Sequence, residues 1–216
     1  MSKRIWLALE FLILFFVLPA AYAVYVFPLV HPVVAMWGFS AWLLAILLRS
    51  RQFDRAQLWT GPRQVDTRQM KHILLRFLAL GFLLLLWVIV LEPNRLFDFP
   101  RMQPWLWLFV VCLYPVLSAY PQGIAYRAFM FQRYGELFGH GWGSIIASAF
   151  AFSFAHIAYR NPVAVFLTFV GGLLFAVTYA RTKSVMLSGV EHALYGDLIF
   201  TIGLGHYIYT GAVRLV

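Results

Sequence analysis

The chain of 216 residues is 62% hydrophobic and 12% charged, and its mean hydropathy of +0.79 excludes a soluble domain of ordinary composition. Its formal charge of +9 would suit a nucleic-acid partner in a soluble protein, but in a membrane protein an excess of Lys and Arg usually reflects topology. We therefore predict an integral, multi-pass membrane protein with no nucleic-acid partner.

A transmembrane helix needs about 20 mostly apolar residues, and the sequence divides into about seven such segments. They run from 5 to 26, 28 to 48, 73 to 91, 105 to 131, 142 to 158, 162 to 180 and 184 to 204, with an apolar tail after Gly205. This pattern predicts an all-α bundle of about seven to eight transmembrane helices. We divide it into amino-terminal helices, 1–104, and a carboxy-terminal core, 105–216.

The longest polar stretch is the loop 49–72, which holds six basic residues against two acidic ones. Phe53, Leu58 and Trp59 alternate with arginines there, which is typical of a segment lying at the membrane surface against anionic headgroups. The other basic residues expected on the same side are Lys3, Arg4, Arg181 and Lys183. Because positive charge accumulates in cytoplasmic loops, we predict a cytoplasmic amino terminus, in the plasma (inner) membrane if the source is prokaryotic.

Ionisable side chains at the bilayer centre cost about 2.5 to 3.5 kcal/mol on insertion scales, so each one marks a candidate site. Glu10, Arg76 and His206 lie near segment ends, where their charged groups can reach the headgroups. The polar residues that this explanation does not cover are Gln122, Arg127, His156, Glu191, His192 and Asp197. Two histidines and a carboxylate on different helices suit catalysis or metal binding, whereas the alternative is a hydrogen-bond network that only fixes packing.

Three stretches place these residues in order: "QGIAYR" (122–127), "FSFAH" (152–156) and "FVGGLLFAVTYARTKSVMLSGVEHALYG" (169–196). This order resembles the CPBP family of intramembrane proteases, which includes the Rce1-type CAAX prenyl endopeptidases and the Abi proteins. The family's motifs are Glu-Glu-x-x-x-Arg, Phe-x-x-x-His and His-x-x-x-Asn. The resemblance covers about ninety residues and identifies 105–216 as a CAAX-protease-like core.

The resemblance assigns roles to individual residues. Arg127 corresponds to the arginine of the first motif, Phe152 and His156 to the second, and His192 to the histidine of the third. The departures are Gln122 and Gly123, which replace the two glutamates, and Gly196, which replaces the asparagine.

In the family the first glutamate is thought to activate a water with the second-motif histidine, while the third-motif pair stabilises the oxyanion. Participation of a metal is disputed. Glutamine cannot take up the proton that a general base must accept, so Gln122 leaves the expected base missing. Glu191 could replace it, with Asp197 assisting, although neighbouring residues on a helix diverge by about 100°.

Alternatively His156, His192 and Glu191 could hold a divalent metal such as zinc, whose bound water needs no strong separate base. Water activation without a metal is equally compatible with the sequence. The resemblance implies an endopeptidase acting on a membrane-embedded or lipidated peptide. An inactive pseudoprotease that binds such a peptide or a lipid is the alternative, and a small transporter is disfavoured because no inverted repeat is visible.

The arginine of the first motif raises a separate question. Gly123 lies one turn before Arg127, on the helix face from which a carboxylate would pair with it. We therefore expect Arg127 to use carbonyl groups freed by Pro121, an acid from another helix such as Glu191 or Asp197, or water. We also expect Gln122, Arg127, His156 and His192 to face a common interior, since each is costly to leave in lipid.

Overall fold

The computed structural model describes residues 2–27, 29–59 and 67–208, and within these ranges the chain forms helices and turns with no strand. The all-α bundle predicted from the sequence is confirmed. The long helices of the described residues are α1 (Lys3–Val26), α2 (Pro32–Arg49), α3 (Thr67–Leu91), α4 (Pro104–Arg133), α5 (Trp142–Ala155), α6 (Pro162–Thr182) and α7 (Val185–Ile202). Short helical segments between and after them are Arg55–Leu58, Pro93–Arg95, Asp98–Met102, Gly135–Phe138, His156–Tyr159 and Gly205–Ile208.

Six of these helices, counting α5 together with the turn His156–Tyr159, are long and apolar enough to cross a membrane. The chain is therefore an integral, multi-pass membrane protein. Helix α7 is of similar length but falls outside the six, because Glu191, His192 and Asp197 lower its hydropathy. The polar residues that mark α7 as a candidate site also weaken its signal as a membrane span.

Local sequence explains where α6 and α7 begin and end. Asn161 caps α6 by accepting a hydrogen bond from the Val163 amide, and Pro162 fills the first helical position. Ser184 caps α7 in the same way through the Leu187 amide, 3.1 Å away. At the other end of α7, Gly203 adopts a φ of 109°, and a side chain there would overlap the carbonyl of Arg95.

Helix α4 departs from regular α-helical geometry on both sides of Gln122. Residues Pro115–Ala119 and Ile124–Phe129 form π-helical turns, separated by one α-helical turn. Pro115 and Pro121 supply no amide hydrogen and so interrupt the regular hydrogen-bond ladder. Such π-helical turns change which side chains share a helix face, and they are frequent at functional sites.

Close packing joins α5 to α6. A Cβ atom added at Gly172 of α6 would lie only 3.0 Å from the Cα atom of Ala149 in α5, so glycine permits this approach. The amino-terminal helices pack on the same core, since Phe15 of α1 and Leu43 of α2 belong to one hydrophobic cluster with Phe152. The division at 104/105 thus crosses a continuous core, and as a domain boundary it stays a prediction.

The loop between α2 and α3 is described only as far as Trp59, so the Arg63 and Asp66 counted in its charge lie outside the described residues. Phe53 is buried and Leu58 packs on the protein core, which corrects the expectation that both lie at the membrane surface. Trp59 remains exposed, and its ring stacks on that of Tyr120. The loop is therefore held on the protein, and Trp59 is the described aromatic left to meet headgroups.

Candidate active site

The ring of Phe152 on α5 is the point on which three of the predicted site residues converge. The Arg127 guanidinium carbon lies 4.8 Å from the ring centroid. The His156 ring lies 4.8 Å away and the His192 ring 5.3 Å away, both edge to face. Helices α4, α5 and α7 thus bring the arginine and both histidines to one aromatic side chain.

These polar side chains lie inside the bundle, as expected from the cost of placing them in lipid. Arg127 is 2% exposed, His192 7% and Gln122 9%, and His156 is half-buried. Gln122 makes none of the Phe152 contacts described above, and its described hydrogen bond is to Ser118 on its own helix.

Arg127 uses hydroxyl, carbonyl and aromatic partners. Its Nη1 atom donates to the Ser148 hydroxyl at 3.1 Å and to the Tyr126 carbonyl at 3.3 Å, and Ser148 itself donates to that carbonyl. The guanidinium also lies 5.8 Å from the ring centroid of Phe175. Of the three alternatives expected for Arg127, the structure shows a backbone carbonyl, together with a hydroxyl, and among the described residues no carboxylate is hydrogen-bonded to the guanidinium.

Gln122 and Gly123 occupy the positions of the first-motif acids. Gln122 donates from Nε2 to the Ser118 hydroxyl at 2.7 Å, which leaves its amide oxygen as an acceptor. A Cβ atom at Gly123 would meet a methyl group of Val185 at 3.0 Å. The side of α4 from which a second acid would project therefore faces the first residue of α7.

His156 begins the 3-10 turn that ends α5. Its Nδ1 atom lies 2.8 Å from the carbonyl of Phe152, and a carbonyl accepts only, so Nδ1 carries the hydrogen. The other nitrogen, Nε2, is then the acceptor of the neutral ring. The backbone hydrogen bond alone therefore assigns the tautomer in which Nε2 is the basic nitrogen of His156.

His192 is bound on α7 by aromatic rings and by one tyrosine. Its ring stacks on Phe175 at 4.6 Å with an interplanar angle of 21°. The hydroxyl of Tyr114, on α4, lies 2.9 Å from Nε2. Sequence reasoning missed Tyr114, and the available signal was its spacing: Tyr114, Ser118 and Gln122 recur every four residues along one helix.

Gly196 lies one turn after His192, and Tyr114 fills the space that a side chain there would need. A Cβ atom at position 196 would overlap the Tyr114 ring and lie 2.6 Å from its hydroxyl oxygen. The tyrosine therefore requires glycine at this position, and its hydroxyl stands where a residue at 196 would present a polar group to His192.

Glu191 is fully buried but turns toward α3 and α6. Its Oε2 atom accepts from the Thr178 hydroxyl at 2.5 Å, and Oε1 lies 3.1 Å from Nη2 of Arg76. Arg76 also donates to Thr178 at 2.9 Å. The expectation that Arg76 only reaches toward the headgroups is therefore wrong, because it forms an ion pair inside the protein.

The three residues predicted to bind a metal, His156, His192 and Glu191, are not grouped as a metal site. Within the described ranges, no group of three or more His, Cys, Asp or Glu side chains is placed to hold a metal ion. Glu191 points to Arg76 while His156 and His192 meet at Phe152. These residues do not fit a three-ligand metal centre, and no metal takes part in the reaction proposed below.

Asp197, the predicted assisting acid, has a buried Oδ1 atom without a hydrogen-bond partner among the described residues.

The helices and the polar side chains between them define a polytopic helical membrane protein with a polar site where α4, α5 and α7 meet. Residues 101–196 match the family model described as type II CAAX prenyl endopeptidase Rce1-like. Residues 101–196 thus form an Rce1-like domain, and this match supports the resemblance to CPBP/Rce1-type proteases that the motifs indicate. Comparisons with curated proteins and with solved structures gave no match.

Proposed function

We propose that the protein is a CPBP-type intramembrane endopeptidase that cleaves membrane-associated or lipidated peptides. The observation that carries this proposal is the contact of Arg127, His156 and His192 with the Phe152 ring, within the region that matches the Rce1-like model. Two imidazoles and a buried cation in one enclosed site can move a proton and stabilise negative charge. These are the two tasks that peptide hydrolysis requires.

In this proposal His156 is the general base. The hydrogen bond from Nδ1 to the Phe152 carbonyl leaves Nε2 to accept a proton from water. Gln122 cannot take a proton, but its amide oxygen can accept a hydrogen bond from the same water while its Nε2 donates to Ser118. Gln122 then orients the nucleophile and His156 deprotonates it.

Hydrolysis of the peptide bond in this proposal needs only the peptide, one water molecule and the two histidines. The water oxygen forms a bond with the carbonyl carbon of the peptide as its proton passes to His156 Nε2. The carbonyl oxygen then carries a negative charge, which His192 stabilises by a hydrogen bond. The carbon–nitrogen bond breaks as the imidazolium of His156 returns its proton to the leaving amine.

A pseudoprotease that binds the same peptide without cutting it is the second candidate. The observation in its favour is the structure around the first motif, where both acids are absent and a Val185 methyl faces Gly123. A family member that had lost catalysis could fill this space with apolar groups at no functional cost.

A third assignment makes Glu191 the general base in place of the missing glutamate. The variant Glu191→Gln tests this assignment directly.

The test is cleavage of a farnesylated, fluorescence-quenched peptide by the purified protein in liposomes. We expect the wild type to cleave it, and His156→Ala to lower kcat by about 100-fold or more. His72→Ala is the matched control, because His72 is an exposed histidine near the start of α3. Peptide binding without cleavage by the wild type would favour the pseudoprotease, and unchanged cleavage by His156→Ala would overturn the assigned base.

A further inference from the structure

Tyr114 and Gly196 form an interlocked pair at the polar edge of the His192 ring. The tyrosine ring occupies the volume that opens at Gly196, and its hydroxyl lies 2.9 Å from His192 Nε2. Three aromatic rings surround the imidazole: Phe175 stacks on it, and Phe152 and Tyr114 lie at nearly 90° to it. Aromatic packing holds the plane of the ring, whereas a hydrogen bond is needed to define its protonation.

We propose that Tyr114 is a positioning residue that fixes the tautomer and orientation of His192 from the neighbouring helix, and that Gly196 is there to admit it. The proposal deepens the proposed function and rests on it for its catalytic consequence. The Tyr114 hydroxyl donates to Nε2 of the neutral imidazole, so Nδ1 carries the hydrogen. His192 then has one defined N–H donor with which to stabilise an oxyanion.

The position of the pair on two helices supports this role. Residues 192 and 196 lie one turn apart on α7, so a side chain at 196 would be the nearest polar neighbour of His192 on its own helix. Because residue 196 is glycine, that side chain is absent, and the ring of Tyr114 from α4 occupies the space that it would fill. Ser118 lies one turn after Tyr114 in the same row of side chains and accepts from Gln122 Nε2 at 2.7 Å. One row of side chains on α4 thus serves both the water and the oxyanion sides of the site.

A purely structural role for Tyr114 makes different predictions. If the tyrosine only fills space, Tyr114→Phe should leave His192 unaffected, because the ring is retained and only the hydroxyl is lost. If the hydroxyl fixes the imidazole, the same substitution should change the protonation of His192 without unfolding the protein. Tyr120→Phe is the matched control: Tyr120 lies on the same helix and donates to the Leu58 carbonyl, away from His192.

The first measurement is ¹⁵N NMR of histidine-labelled protein in nanodiscs, with His192 assigned by comparison with His192→Gln. We expect the wild type to show an Nδ1–H ring with Nε2 as acceptor, and Tyr114→Phe to shift the Nε2 resonance toward a mixture of tautomers. Gly196→Ala should produce a similar shift, because its methyl group would displace the tyrosine ring. Tyr120→Phe should match the wild type.

The second measurement is cleavage of the farnesylated peptide. Tyr114→Phe should lower kcat by about tenfold or more with little change in KM, since a wrongly oriented imidazole costs transition-state stabilisation. Gly196→Asn should also lose activity because the asparagine overlaps Tyr114, and Tyr114→Ala combined with Gly196→Asn should recover part of it. Recovery would show that position 196 can supply the polar group that Tyr114 otherwise provides.

The two measurements separate the proposals. An unchanged His192 spectrum in Tyr114→Phe overturns the positioning role, whether or not the protein cleaves peptides. A shifted spectrum with a wild type that cleaves none of the tested peptides supports the positioning role and counts against the proposed function. If Tyr114→Ala combined with Gly196→Asn is no more active than either single variant, the idea that a polar group at position 196 can replace the Tyr114 hydroxyl is overturned.

Discussion

At the scale of single residues, the ion pair between Arg76 and Glu191 combines a buried acid with an arginine that is still partly open to its surroundings. The carboxylate is 0% exposed and the arginine side chain 27%, so the acid carries the larger desolvation cost. Thr178 links the two by accepting from Arg76 and donating to Glu191. The pair ties α3 to α6 and α7, and its loss should be felt in stability.

We expect Arg76→Ala to destabilise the protein by about 3 to 5 kcal/mol, because it leaves a buried carboxylate without its cation. Glu191→Gln should cost less, since a neutral amide can still accept from Thr178, and combining it with Arg76→Ala should recover part of the loss. The measurement is thermal unfolding in detergent. Arg55→Ala is the control, because the hydrogen bond described for Arg55 is to an exposed backbone carbonyl. Equal melting temperatures for the two alanine variants would contradict the argument.

The first-motif positions give a second prediction at this scale. In Gln122→Glu, the Ser118 hydroxyl can rotate to donate to the new carboxylate, so the substitution should fold and supply a general base. We expect kcat for the farnesylated peptide to rise by about tenfold or more.

Gly123→Glu is the contrasting variant, because its Cβ atom would press on the Val185 methyl at 3.0 Å. It should destabilise the protein unless Val185→Ala accompanies it. A Gln122→Glu variant that folds but cleaves no faster than the wild type would show that a missing carboxylate does not limit the reaction.

At the scale of helices, the contact between α5 and α6 sets the geometry of the site. Helix α5 carries Phe152 and is followed directly by His156, while α6 carries the Phe175 ring that stacks on His192. Because Gly172 lets the two backbones approach closely, a displacement there would move both rings relative to His192.

Gly172→Ala should therefore reduce both stability and cleavage. Its methyl group would lie 3.0 Å from a backbone carbon of Ala149, and such overpacking costs about 1 to 3 kcal/mol. Gly38→Ala is the matched control, since a Cβ atom there meets no atom within 4 Å. Melting temperatures and kcat of the two variants provide the comparison, and a Gly172→Ala protein indistinguishable from Gly38→Ala would show that the helices can separate freely.

Hydrophobic runs predicted the helices well, because lipid requires long apolar segments. Burial of Gln122, Arg127 and His192 also followed from the cost of polarity in the membrane. The partners could not be predicted in this way. Tyrosine is common in apolar helices, so nothing in composition distinguished Tyr114, and the π-helical turns on either side of Gln122 changed the helix faces that regular periodicity assumes.

At the scale of the whole molecule, the described basic residues are concentrated at one end of the bundle. Lys3 forms an ion pair with Glu136 at 2.7 Å, which brings the amino terminus beside the connection between α4 and α5. The Trp59 carbonyl accepts from Ser184, which brings the basic loop beside the turn between α6 and α7. The described basic residues gathered at this end are Lys3, Arg4, Arg49, Arg51, Arg55, Arg68, Lys71, Arg133, Arg181 and Lys183.

The opposite end holds a smaller, mixed group of charges, in which Glu92 accepts from Trp87 and Tyr207 and lies 3.4 Å from the His206 ring. Arg95 and Asp98 lie 3.6 Å apart beside it. Positive charge is thus largely balanced by acid at this end and in excess at the other. The positive-inside tendency then predicts that the end with Lys3 and the basic loop faces the cytoplasm.

Cysteine labelling provides the test of this topology. In a Cys112→Ala background, Gln52→Cys reports on the basic loop and Asn94→Cys on the opposite end, and both native side chains are exposed. We expect a membrane-impermeant maleimide to label Asn94→Cys on intact cells and Gln52→Cys only after permeabilisation, because the basic loop should stay on the cytoplasmic side. Labelling of Gln52→Cys alone on intact cells would reverse the topology. Under the proposed function, the peptide would then have to approach the site from the other side of the membrane.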